Sequence, residues 1–133
     1  MRIVIADPKT GKSYQKELEK EQEALVLGKK IGDALDGGAL GLAGYSLELT
    51  GGSDGSGFPM RRDVSGPRKV AILLSDGTGF HATRKGMRKR KTVRGNTYGP
   101  DAMQVNAKVK TVGSTALDQL LGKTEEKPKE EKK

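Results

Sequence analysis

There is no cysteine among the 133 residues, no tryptophan, a single histidine, and only two phenylalanines and three tyrosines. Each shortage removes a class of function. Without thiols there can be no disulfide and no thiolate metal site, and the composition suits a reducing compartment. One histidine, His81, leaves little for a histidine-ligated metal centre or a His-activated nucleophile. His81 is read as a groove or surface residue, and no catalytic residue, metal ligand, cofactor or small-molecule substrate is assigned. The aromatic stock is Phe58, Phe80, Tyr14, Tyr45 and Tyr98. That is too little for the stacking platforms that read single-stranded bases. No apolar run approaches the ~20 residues needed to span a bilayer, and no secretory signal opens the chain. A soluble intracellular protein without a membrane partner is expected.

What is plentiful is glycine, at 19 residues, and positive charge, with 25 Lys and Arg against 17 Asp and Glu. The net charge of +8 is unevenly placed. Residues 1–57 carry seven Lys/Arg against nine Asp/Glu, whereas residues 58–100 carry eleven against two. Its densest part runs from Arg84 to Arg94, where seven of eleven residues are cationic. Such a block raises its own electrostatic energy unless a polyanion compensates it. Gly86 and Gly95 punctuate it and β-like segments flank it, which marks a basic loop presented by a folded domain. Lys and Arg bind phosphates by releasing condensed counterions, and Arg adds planar forked hydrogen bonds. Arg61, Arg62, Arg68, Arg84, Lys85, Arg88, Lys89, Arg90, Lys91 and Arg94 are therefore the candidate nucleic-acid contacts. Recognition of the backbone and shape of folded RNA fits this set best.

Arg2–Ala6 reads as an opening strand, Asp7–Gly11 as a turn, and Lys12–Leu18 as a returning strand with Tyr14, Lys16 and Leu18 on one side. Ala6–Ser13 also satisfies a relaxed Walker A pattern. A phosphate cradle needs successive inward N–H groups with a helix N-terminus behind them. Pro8 lacks one of those groups, so the hairpin turn is preferred to a nucleotide site using Lys12 and Ser13. Tyr45–Leu49 alternates with Tyr45, Leu47 and Leu49 inward. Gly51–Gly57 reads as a loop, followed by an apolar plug, Phe58-Pro59-Met60. Arg68–Leu74 reads as a strand buried on both sides, Asp76-Gly77 as a tight turn, and Gly79–Ala82 as a short strand. Met103–Lys110 alternates strictly, with Met103, Val105, Ala107 and Val109 on the core face. Ser114 or Thr115 could cap a short helix carrying Leu117, Leu120 and Leu121. The expected fold is mainly β: a small antiparallel β-barrel with one or two short helices over residues 1–122, and a disordered Lys/Glu tail over 123–133.

Two segments together carry a family resemblance. Gly51-Gly52-Ser53-Asp54 through Gly57-Phe58-Pro59-Met60, followed about 30 residues later by Arg88-Lys89-Arg90-Lys91-Thr92-Val93-Arg94-Gly95, resembles the small-subunit ribosomal protein S6e family of archaea and eukaryotes. The resemblance covers about residues 1–113. It implies a non-catalytic β-barrel that binds ribosomal RNA of the small subunit beside other ribosomal proteins in the cytoplasm. It places Arg88 to Lys91 and Arg94 on RNA phosphates, and Phe58, Pro59 and Met60 as a plug against RNA or protein. Eukaryotic members continue into a long basic C-terminal helix with regulatory serine phosphorylation. The short Lys/Glu tail here does not support transferring that regulation. Met87 stands where relatives often have an acidic residue. A free basic RNA-binding or RNA-chaperone module is the alternative that the residues alone leave open.

Overall fold

The computed structural model describes residues 1–122. Seven strands and two short α-helices follow in the order β1 (Arg2–Asp7), β2 (Lys12–Glu17), α1 (Lys20–Val26), β3 (Ala34–Asp36), β4 (Ser46–Asp54), β5 (Lys69–Leu74), β6 (Lys89–Arg94), β7 (Ala102–Thr111) and α2 (Leu117–Leu121). A single 3-10 turn, Gly38–Leu40, lies between β3 and β4. The expected tail falls on 123–133, outside the described residues.

Mainly-β architecture is present, but no barrel closes. Five strands form one sheet in the order β2-β1-β7-β4-β3, and β5 and β6 form a separate two-stranded ribbon. Closing the large sheet would require its edges, β2 and β3, to pair. The three-residue β3 offers too few ladder bonds for that. The ribbon instead joins the large sheet through isolated bridges, Ser53 with Pro59 and Met60 with Arg94.

One face of the large sheet is the core. Ile3 and Ile5 of β1 pair with Val105 and Ala107 of the parallel neighbour β7. Val109 and Ala107 then face Leu47 and Leu49 of β4, and Leu35 faces Leu47. All are buried, because a period of two sends every second side chain to the same side. Val26 from α1, Tyr45, Met60 and Tyr98 complete this cluster. Burial pushes the Tyr98 phenol up, and its hydroxyl donates to the Gly51 carbonyl. The Gln22 side chain accepts the Glu19 amide at 3.3 Å at the start of α1.

Several local expectations are corrected. Met103 is 48% exposed rather than inward. A register shift after Ser53 pairs Asp54 with Ala102, so the bulge gives Ala102 the core position and turns Met103 out. Gly51–Asp54 is strand, not loop, and only 55–57 turn back. Gly52 is required there, since a Cβ would stand 2.2 Å from the Gln104 carbonyl oxygen. β5 is not buried on both sides. It sits in a ribbon with one covered face, and Leu73 is 57% exposed. Gly79–Ala82 forms no strand, only a bridge between Gly77 and Phe80. Ala116, rather than Ser114 or Thr115, occupies the N-cap of α2.

Candidate nucleic-acid interface

The basic block is half loop and half strand. Arg84, Lys85 and Arg88 lie in the 75–88 connection, and Lys89 to Arg94 form β6. The register pairs Lys89 with Leu74, Arg90 with Leu73, Lys91 with Ile72, Thr92 with Ala71, Val93 with Val70 and Arg94 with Lys69. Alternation therefore divides the cations. Lys89 and Lys91 share a face with Val70, Ile72, Leu74 and Val93, while Arg90 lies opposite with Ala71 and Leu73. The first face has its own small core, in which Val64, Leu74, Phe80 and Val93 are buried and Met87 packs against them. Lys91 is half-buried, as a lysine is when its methylenes run along apolar surface.

The ribbon's base is held by charge. Asp54, at the end of β4, is buried with 1% of its side chain exposed, and Arg94 retains 6%. The Asp54 Oδ1 atom accepts the amides of Ser56 and Phe58, at 3.0 and 2.9 Å. Its Oδ2 atom has no hydrogen bond and is held by two cations, Lys69 Nζ at 3.3 Å and Arg94 at 3.5 Å. Burial raises the affinity of Asp54 for a proton, but the Phe58 amide, Lys69 and the Ser56 amide outweigh it. The carboxyl ends below the usual Asp range. Arg94 also reaches Asp101 at 3.4 Å and donates to the Pro67 carbonyl. Lys69 and Arg94 are a directly opposed like-charge pair, an arrangement that destabilises a ribbon unless something offsets it. The shared carboxylate does so. Gly95 lets this base pass close to residues 65–66, because a Cβ would stand 1.7 Å from the Gly66 oxygen.

The candidate residues thus separate into two groups. Arg94 is taken up internally, clamped by Asp54, Asp101 and the Pro67 carbonyl. Arg61 is largely satisfied too. Its guanidinium makes two 2.8 Å bonds to the Asp63 carboxylate and one of 3.0 Å to the Thr78 carbonyl. The Arg61 bond holds Asp63 below the usual carboxylate range, and the same bond raises Arg61. By contrast Arg62, Arg68, Arg84, Lys85, Arg88 and Lys89 are exposed, and none has an ion pair or side-chain hydrogen bond among the described residues. Lys91 has no such partner either, and Arg90 donates only to the Ala71 carbonyl, at 3.4 Å.

The plug is mostly internal. Met60 is buried in the main core, while Phe58 and Pro59 are half-buried and Lys69 lies 5.3 Å above the Phe58 ring. Of the five aromatics, Phe80, Tyr45 and Tyr98 are buried, leaving none of these three free to stack on a base. Asp7–Lys12 is a hairpin turn, closed by the Gly11 amide on the Asp7 carbonyl and followed by β2 rather than a helix. Lys12 pairs with Asp118 at 3.1 Å. His81 is exposed beside Asp76, at 3.5 Å. No group of acidic or histidine side chains that could hold a metal ion occurs among the described residues, and none of their helices is long and apolar enough to cross a membrane.

Sequence comparison gives the same family as the two motifs. The family model described as ribosomal protein S6e matches residues 1–122. A protein of Methanocaldococcus jannaschii named small ribosomal subunit protein eS6 is 54% identical over 121 residues, covering 91% of this chain and 90% of its own length. Proteins with the same name from Methanosphaera stadtmanae and Haloarcula marismortui are each 46% identical. They cover 97% and 93% of this chain, and 98% and 96% of their own lengths. With the motifs, the family model and three archaeal relatives in agreement across nearly its whole length, the chain belongs to the ribosomal protein S6e family.

Proposed function

We propose that this chain is a structural protein of the small ribosomal subunit, working in the cytoplasm within the ribosome and without catalytic activity. Residues 1–122 act as one RNA-binding domain. Arg84, Lys85, Arg88, Lys89, Arg90 and Lys91 of the β5–β6 ribbon contact phosphates of ribosomal RNA, with Arg62 and Arg68 nearer its base. The half-exposed Phe58 and Pro59 meet RNA or a neighbouring ribosomal protein. One observation carries this reading: the ribbon's fold is satisfied by Asp54, Asp101 and its own apolar face, yet its outer cations have no carboxylate partner among the described residues. Those charges are available to a polyanion without disturbing the scaffold.

The experiment is charge reversal of Arg88, Lys89, Arg90 and Lys91 to Glu, followed by sedimentation of small subunits from cells carrying the variant. The variant should be absent from the subunit peak while its far-ultraviolet circular dichroism matches the wild type. Normal incorporation would refute the assignment of the ribbon. A wild-type chain found mainly off ribosomes, binding many nucleic acids alike, would instead make this a free basic module.

A further inference from the structure

Beyond the ribbon, we infer a second phosphate-binding patch, formed by Lys30 and Arg62 at the ribbon's base, so that the domain grips RNA at two separate points. The inference rests on the RNA-binding reading above and adds to it a residue from the acidic first part of the chain. Lys30 follows α1, and sequence order gives no reason to group it with cations beyond residue 58. The fold brings it there. Lys30 bridges Thr97, three residues past the end of β6. The Ile31 amide donates to the Asn96 carbonyl at 2.9 Å, and the Asn96 side chain donates to the Arg62 carbonyl at 3.2 Å. The tip of the Arg62 guanidinium comes within 3.0 Å of where a Cβ on Gly32 would stand, so it lies over the segment that carries Lys30.

Neither side chain has a partner among the described residues, and both are exposed. Two carboxylates are close in sequence, and neither pairs with the Lys30 or Arg62 side chain. Asp33 accepts the Lys30 amide at 2.8 Å, and Asp63 holds Arg61 with both oxygens. Between the patch and the ribbon's outer cations lies a waist in which most of the charge is compensated, Arg68 being its exposed exception. Arg94 and Lys69 are compensated there by Asp54 and Asp101, and the Arg61 amide donates to the Arg94 carbonyl. Arg90 stands four residues up the strand from Arg94, about 13 Å at about 3.3 Å per residue. A single phosphate cannot serve both ends.

The test compares the full chain with three double variants binding an RNA hairpin of about 16 base pairs. Affinity is measured by fluorescence anisotropy between about 50 and about 200 mM salt. Lys30→Ala with Arg62→Ala should lower the log–log salt slope by about 1.5, at roughly 0.7 to 0.9 for each phosphate no longer neutralised. Lys89→Ala with Lys91→Ala should lower it by a similar amount, and combining all four should add. Lys9→Ala with Lys110→Ala, both exposed and outside the patch and the ribbon, should leave it unchanged. A reduced slope in the ribbon variant alone overturns the second patch and leaves the RNA reading standing. An unchanged slope in both overturns both, and an equal reduction in the Lys9 and Lys110 control overturns the patch by showing only diffuse attraction.

Discussion

Replacing Asp54 by Asn keeps the side chain's size and an oxygen for the Ser56 and Phe58 amides, but removes the charge on which Lys69 and Arg94 converge. Lys69 can turn to water, since 41% of its side chain is exposed. Arg94 cannot follow, and it is left with Asp101 and the Pro67 carbonyl. Removing one member of a buried pair costs about 3 to 5 kcal/mol because the remaining charge is uncompensated. The surviving partners put Asp54→Asn at the lower end, about 3 kcal/mol. Against a total of about 5 to 15 kcal/mol for a domain, that is a large share. Urea unfolding followed by far-ultraviolet circular dichroism, with a slope of about 1 to 3 kcal/mol/M, should show the midpoint falling by between about 1 and 3 M. The second half of the test is Arg94→Met made in the Asp54→Asn background. With both charges gone the double variant should be more stable than the sum of single losses predicts, by about 2 kcal/mol. A loss below about 0.5 kcal/mol in Asp54→Asn, or strictly additive effects, would refute the clamp.

Three further expectations can be checked with the same unfolding assay. The Asp54 carboxyl is depressed on folding, so its contribution is present above the unfolded value of about 3.9 and is lost as pH falls through the folded one. The stability gap between wild type and Asp54→Asn should therefore narrow below about pH 4, and a constant gap down to pH 2 would contradict this. Gly95→Ala should cost about 3 kcal/mol, the upper range for overpacking, because the new methyl meets a backbone carbonyl that cannot rotate away. Leu73→Thr should change stability by less than about 0.5 kcal/mol, whereas Val93→Ala, on the covered face two residues along from Lys91, should cost about 2 kcal/mol.

Much of the large sheet was legible because its strands obey one rule, alternation against a single covered face. Tyr45, Leu47 and Leu49 are inward for that reason, and Tyr14, Lys16 and Leu18 share a side as their spacing requires. Met103 escaped the rule because a bulge is a relation between two strands, and one strand's pattern does not contain its partner's register. The apolar run of β5 misled for a related reason: sequence shows that residues are apolar, not that a ribbon has only one neighbour on one side. Barrel closure likewise depends on whether two distant edges meet. The basic site was legible as a charge excess but not as a geometry. Arg94 looks like its neighbours in the motif, and only the fold, by placing Asp54 opposite, separates the clamp from the outer cations. Lys30 was hidden for the opposite reason, since its own stretch of chain is net acidic.

Arg90 emerges on one side of the ribbon while Lys89 and Lys91 emerge on the other. A flat stretch of nucleic acid can neutralise one side only. Full compensation needs strands both above and below, as a blade is held by its sheath, and a surrounding RNA that has already folded shut would bar the way in. If the ribbon binds RNA as proposed, the two-sided placement of charge on β6 favours entry while that RNA is still open, with the final fold of the nucleic acid closing around the protein.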